Sequence, residues 1–423
     1  MAQSDVLIVG GGLAGLCCAR RLHQCGRSFT LVEASDALGG RVRTDLVDGY
    51  RLDRGFQIYL TAYPEGRRVL DLEELAPRKF SRGALIWYGG KLRRLTDPRT
   101  DPLSAPGSLF NPIGTFRDKL RLLSLQWKVE KGHAEQTFEP GERMTLDFLR
   151  RNGGFSDAMI DRFFKPFFGG VFLERELTTS SRFFRFVFRM FTSGDAVVPR
   201  DGMQEIPRQI ARQLPESSIL LNARVDSIGP GRATLGNGTI LTAKTVVVAV
   251  EGPEVARLLG EAVPTPKFNG CTTLYYTTDR PPLDEPLLVL DGEGTGPVNN
   301  LVVMSAASKA YAPPGVSLIS ATVIGISSDD DAGLDRKCRT QLTKWFGESV
   351  GGWQLLRVYR IPNALPNMSG LALEPPQRAV RLGDGLYICG DHRDNGSIDG
   401  SMVSGFRTAQ TIVNEMPTVG AGG

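Results

Sequence analysis

Histidine is scarce in this chain: His23, His133 and His392 are the only three in 423 residues. Scattered so widely, they offer no His-rich metal site, and no metal is expected. The six cysteines (Cys17, Cys18, Cys25, Cys271, Cys338 and Cys389) include no CxxC pair. Reduced, packed thiols in a cytoplasmic protein are the expectation. Long apolar runs are also missing. The longest, Leu7 to Ala19, is broken by four glycines, well short of the roughly 20 apolar residues a membrane-spanning helix needs. The first residues run straight into an apolar strand, so no signal peptide is expected. Neither charge sign dominates: Lys+Arg 50 against Asp+Glu 46 gives +4. With no recognisable motif for it, a nucleic-acid partner is not expected.

What remains is a globular composition, 41% hydrophobic and 23% charged, in a chain long enough for two domains. Its clearest signal comes first. "DVLIVG" is an apolar, β-rich run suited to a strand buried on both faces of a parallel sheet. Gly10, Gly12 and Gly15 follow with GxGxxG spacing, then the helical "LAGLCCARRL", then a second strand "FTLVEA" ending in Glu33 and Ala34. Each glycine has a task. Gly10 makes the tight turn, Gly12 lets backbone approach a pyrophosphate, and Gly15 lets helix and strand pack closely. The helix start at Leu13 and Ala14 offers N–H groups to phosphates. Glu33 can accept from ribose hydroxyls. Strand, loop, helix and acid together predict dinucleotide binding.

Six residues past Glu33 comes "GGRVRT", Gly39 to Thr44. A guanidinium at Arg41 can pair with a diphosphate, and Gly39 and Gly40 let the backbone pass close by. At this point the chain resembles the flavin-containing amine oxidase superfamily, which includes amine oxidases, protoporphyrinogen oxidases and phytoene-type desaturases. The resemblance implies FAD as cofactor, with Arg41 against its pyrophosphate. "LDRGFQ" resembles the family's D-x-G segment, which implies that Gly55 and Phe56 lie near the flavin ring. It further implies that the backbone of Val225 meets the adenine and that Ala249, in "VVVAVEGP", lies near the FAD.

Near the other end, "GLYICGD" reads as a short buried strand and "IDGSMVSGFRTAQTIV" as a long helix. The resemblance implies that Gly390 and Asp391 contact the ribityl or phosphate region. It also implies that a helix start at Gly400, Ser401 and Met402 faces the flavin ring, where a helix dipole stabilises the charge of the reduced form. Asp399 suits the N-cap of that helix; His392 reads as a flavin contact or a plain loop residue. Amine oxidases with covalent flavin carry a cysteine in this C-terminal loop; "HRDNGSIDGSM" has none, so the resemblance implies non-covalent FAD.

The resemblance implies an α/β fold class: a Rossmann-like FAD-binding domain of the GR2 type with an inserted α+β substrate domain. The first would comprise 1–60, 217–253 and 377–417, and the second 61–216 and 254–376, with 418–423 a disordered tail. The first insertion reads as largely helical, the second as several strands with one helix over "DAGLDRKCRTQLTKWFG".

Eleven of 21 phenylalanines fall between Phe155 and Phe191. In "SRFFRFVFRMF", Arg182, Arg185 and Arg189 share one helical face, and Phe184, Phe188 and Phe191 another. A domain core, the wall of an apolar substrate cavity, and an arginine-rich face (182–191) resting peripherally on a membrane all remain open. The expected partner is a hydrophobic small molecule. The amine oxidases' flavin-facing lysine has no counterpart in "CTTLYYTTDRPP", and Lys309 sits in a different context. The expected function is therefore FAD-dependent dehydrogenation or desaturation of a largely apolar substrate by hydride transfer to flavin N5, with reoxidation by O₂ or a quinone. Arg54, Gln57, Tyr59 and Tyr276 are the substrate-side candidates. The alternatives are an amine or amino-acid oxidase and, from another class, a flavin-free carrier resembling Rab GDP-dissociation inhibitors.

Overall fold

The computed structural model describes residues 4–96, 107, 111–131, 143–260, 263, 264, 266–369 and 377–416. The expected disordered tail and His133 lie outside these residues.

The first strand, β1 (Ser4–Val9), is central to an eight-stranded sheet. It is parallel to β2 (Phe29–Val32) on one side and to β3 (Ile240–Val248) on the other. Val6 to Val9 face Phe29 to Val32 and Thr245 to Val248 in register. β4 (Leu386–Ile388) adds in parallel beyond β3. Sequence segments from three distant parts of the chain thus share one sheet. Their near-continuous apolar character follows from burial on both faces.

Helix α1 (Leu13–Gln24) lies on this sheet, against the final helix, α7 (Ile398–Glu415). The two approach closely because Gly405 has no side chain: a Cβ there would collide with the carbonyl of Ala14. Arg21 Nε and Nη2 also donate to Gln410 Oε1 at 3.0 and 2.7 Å.

The intervening segments build a second sheet of seven strands, antiparallel except for one pair. Five strands come from 268–366. The last two, Ala84–Trp87 and Leu92–Leu95, come from the first insertion, which is therefore less purely helical than expected. One face of this sheet is covered by α6 (Asp331–Phe346), which packs Leu334, Cys338, Leu342 and Trp345 against Leu274, Tyr276 and Ile319. Asp330 caps this helix, accepting from the Gly333 N–H at 2.8 Å, and Gly347 ends it with φ 75°.

The opposite face looks toward helices α3 (Phe116–Lys131), α4 (Lys165–Phe172) and α5 (Ser181–Ser193). Rings of α4 and α5 interlock, with Phe168 and Phe184 centroids 4.7 Å apart and Phe184 and Phe188 5.6 Å apart. α5 is buried on more than its phenylalanine face. Arg182 is buried, and Arg185 and Arg189 are half-buried, with Arg185 over the Phe148 ring. The arginines of 182–191 are thus tucked at least partly against protein rather than forming a fully exposed face.

Candidate functional site

A cavity of about 690 Å³ runs between the two sheets. At one end it is lined by Gly10, Gly12, Leu13, Ala14, Glu33, Gly39, Gly40 and Arg41, together with Ala249, Gly390, Asp391 and Ser401. Gly55 and Phe56 also line it, as do the substrate-side candidates Arg54 and Gln57. The sequence motifs from both chain ends therefore meet on one surface.

Local packing accounts for the glycines. Gly10 has φ 110°, and a Cβ there would strike the Ala249 carbonyl. Gly15 lies beneath the loop, where a Cβ would collide with the carbonyl of Gly10. Gly12 differs: a Cβ built on it meets no protein atom within 4 Å, because it faces the cavity. Helix α1 starts beside it with no side-chain cap, so its first N–H groups are left to a ligand. Glu33 is held by its neighbours: Oε2 accepts from the Gly11 N–H at 2.7 Å, and Oε1 from the Ser35 N–H and hydroxyl.

Arg41 Nη2 pairs with Asp391 Oδ2 at 2.7 Å, and Nη1 donates to the Ala364 carbonyl at 3.0 Å. Burial pushes the Asp391 carboxyl up, but Arg41 and His392 outweigh it and hold it below the usual range. His392 itself is buried outside the cavity lining, and neither ring nitrogen has a hydrogen-bond partner. Burial lowers its pKa despite Asp391 alongside.

The D-x-G segment is anchored by Asp53. Its Oδ1 accepts from Thr44 Oγ1 and the Met203 N–H, and its Oδ2 from the Tyr311 hydroxyl. Its carbonyl takes the Tyr275 hydroxyl. Complete burial raises its pKa to about 6. This anchor presents Arg54, Gly55, Phe56 and Gln57 to the cavity. Gln57 Nε2 bonds the carbonyls of Arg41 and Arg54, and Arg54 pairs with Asp45 at 3.0 Å.

Not every expected residue lines the cavity. The C-terminal helix begins at Ile398, capped by the Ser397 hydroxyl, which accepts from the Gly400 N–H. Of the three residues expected at its start, Ser401 lines the cavity, whereas Gly400 packs on Asn395 and Met402 is core. Asp399 does not cap its own helix. Its Oδ1 accepts from Glu65 and Gly66 at 2.8 and 3.0 Å, in the first turn of α2 (Pro64–Val69). Val225 is outside the lining; its carbonyl accepts from Arg257 and its side chain packs with Leu7 and Val9. Ala34 is exposed just beyond β2 and also outside the lining. Tyr59 is buried against Tyr63 and α2. Tyr276 points to the α6 side of its sheet, beside Trp353, while Tyr275 takes the cavity side of the strand. Strand alternation separates these neighbours.

The far end of the cavity is apolar, with Phe163, Phe167, Phe183, Val187, Phe188 and Phe191 from the helices. Lys119, Leu122, Leu123 and Gln126 of α3 join them, and Asn300 and Thr322 come from the sheet. Sequence reasoning missed the α3 residues, although their i, i+3, i+4, i+7 spacing marks one helical face. Among the described residues, Lys119 is the only lysine lining the cavity; Lys309 is exposed elsewhere.

Residues 13–413 match the family model described as flavin containing amine oxidoreductase, and the chain belongs to that family. Among curated relatives, it is similar to protoporphyrinogen oxidase 1, chloroplastic, of Spinacia oleracea, 30% identical over 40% of this chain and 29% of that one. It is also similar to the probable flavin-containing monoamine oxidase A of Dictyostelium discoideum, 26% identical over 58% of this chain and 57% of that one. The chain thus spans less than two thirds of the length of either relative. A solved structure of a candidate protoporphyrinogen oxidase from Exiguobacterium sp. 255-15 shares the fold, with TM-score 0.75 at 17% identity, covering 98% of this chain and 100% of that one. The fold is the FAD-dependent oxidoreductase fold and the cofactor is FAD. The open face at Gly12, the uncapped start of α1 and the Glu33 carboxylate suit a dinucleotide.

Proposed function

We propose that the chain is an FAD-dependent oxidoreductase that dehydrogenates or desaturates a largely apolar organic substrate. The observation that carries this reading is the continuity of the cavity from the glycine loop and Arg41–Asp391 pair to the phenylalanine wall. Bound there, FAD supplies a two-electron acceptor for a substrate hydride at its N5, with O₂ or a quinone taking the electrons onward.

The chain's own residues position and exclude. Gly10, Gly12 and the start of α1 hold the pyrophosphate end, and Glu33 the ribose. Arg41, fixed by Asp391 and the Ala364 carbonyl, adds a positive charge beside the phosphates. Ser397, Ile398 and Ser401 bring the N-terminal end of α7 to the cavity, where its partial positive charge favours negative charge on a bound ligand. The phenylalanine wall removes water and packs the substrate skeleton. The cavity's lining carboxylates are Glu33, Glu251 and Asp391. Glu33 and Asp391 sit at the dinucleotide end, and Glu251 follows β3 and accepts from Asn363. Among the described residues none stands beside the phenylalanine wall to pair with an ammonium group, which favours a neutral substrate skeleton over an amine. The carrier alternative gives way to the family membership.

Anaerobic bleaching of the bound flavin tests the reading. Terpenoids or porphyrinogens should bleach it and amines should not. Bleaching by an amine, with none by any hydrophobic compound, would reverse the assignment.

A further inference from the structure

Helix α3 has a second face that the cavity does not use. Eight large hydrophobic residues are exposed among those described, and three of them lie on this helix: Phe116 at 54%, Leu120 at 49% and Trp127 at 57%. At 3.6 residues per turn they fall within roughly 40° of one another, forming one stripe. Beside the stripe lie Arg117, Arg121, Lys128 and Lys131, all exposed. Arg121 stands 3.6 Å from Asp118, and Lys131 sits over the Trp127 ring at 4.2 Å. No carboxylate of the helix is exposed, since Asp118 is buried and Glu130 half-buried. The inner face, with Lys119, Leu122, Leu123 and Gln126, lines the cavity.

We propose that the outer face of α3 docks on an anionic lipid surface. Aromatic and leucine side chains flanked by Arg and Lys suit the boundary between headgroups and acyl chains. The four cations complement anionic headgroups. An exposed apolar stripe on an otherwise polar surface marks an interaction site, and its uniform cationic flank selects lipid over an uncharged protein patch. Docking by this helix would set one wall of the apolar cavity directly against the bilayer that holds apolar compounds. The inference does not depend on the flavin reading, because vesicle binding is measured whatever the substrate.

The holoprotein should be mixed with vesicles of phosphatidylcholine alone and of phosphatidylcholine with phosphatidylglycerol. Trp127 is the natural reporter, because Trp87, Trp345 and Trp353 are buried. Sedimentation with anionic vesicles and a blue shift of tryptophan emission are expected. Both should be lost in Phe116→Ser/Leu120→Ser, and binding should weaken roughly tenfold or more in Arg117→Glu/Lys128→Glu. Flavin content should be unchanged in each variant, which shows that it folds. No sedimentation, equal binding to uncharged vesicles, or binding indifferent to the serine variant would overturn the proposal. So would a vesicle-independent dimer abolished by Leu120→Ser, which would assign the stripe to a second copy of the chain.

Discussion

Arg41 and Asp391, from opposite ends of the chain, meet at 2.7 Å in the cavity wall. The pair ties the Gly-Gly-Arg loop to the Gly-Asp turn, so either motif depends on the other. Arg41→Met leaves a buried carboxylate without its main partner and should destabilise the apoprotein by about 2 kcal/mol near neutral pH. Asp391 has a depressed pKa in the fold. Its contribution is therefore present above the unfolded value of about 4 and lost as pH falls through the lower folded value. Denaturant unfolding of both proteins should show the gap between them narrowing in acid.

The glycines of the first loop should separate cofactor binding from folding. Gly12→Val projects side chain into open cavity and should leave apoprotein stability nearly unchanged while abolishing flavin content. Gly15→Val meets the Gly10 carbonyl and should lower the melting temperature of the apoprotein itself. Thermal unfolding and released-flavin absorbance, measured on both variants, distinguish the two effects.

Asp399 gives a pH signature of opposite sign to Asp391. Burial raises it to about 6 although it accepts from Glu65 and Gly66. The folded state therefore holds its proton between about 4 and about 6, where the unfolded chain has released it, and stability falls as pH rises through that window. Asp399→Asn keeps an acceptor for the two N–H groups and removes the titration. It should gain stability relative to wild type between pH 4 and pH 7, up to about 2 kcal/mol. Asp399→Ala removes the cap and should cost about 1 kcal/mol.

The phenylalanines divide by position. Phe184 is fully buried between Phe164, Phe168 and Phe188, and Phe184→Ala should cost about 3–5 kcal/mol. Phe191 is half-buried and lines the cavity. Phe191→Ala should cost less and instead raise KM for the apolar substrate, read by steady-state kinetics beside thermal unfolding.

The dinucleotide half was legible because its glycines encode contacts: Gly10 and Gly15 are glycine since backbone sits where a Cβ would be. The phenylalanine cluster was legible from helical spacing, and its reading as both core and cavity wall suits the two faces of α5. Residues whose partners are distant were not. Asp399 has the local signature of an N-cap, but its acceptor serves a helix more than 300 residues earlier. Tyr275 and Tyr276 are equivalent in sequence, and only strand parity decides which faces the cavity. The strands at 84–95 gave no hint of pairing with a sheet built mainly from 268–366. Likewise, α3 supplies a cavity wall that no motif announced.

The glycine loop and Arg41 from one end of the chain and Asp391 from the other line one cavity, and together they should hold a single FAD. FAD titrated into apoprotein, followed by quenching of flavin fluorescence, tests it most directly. Wild type should bind one equivalent tightly and release it intact on denaturation. Gly12→Val and Asp391→Ala should each lose that binding. A wild-type protein that takes up no FAD, or one whose uptake is untouched by either substitution, would mean that the two motifs do not hold a common FAD.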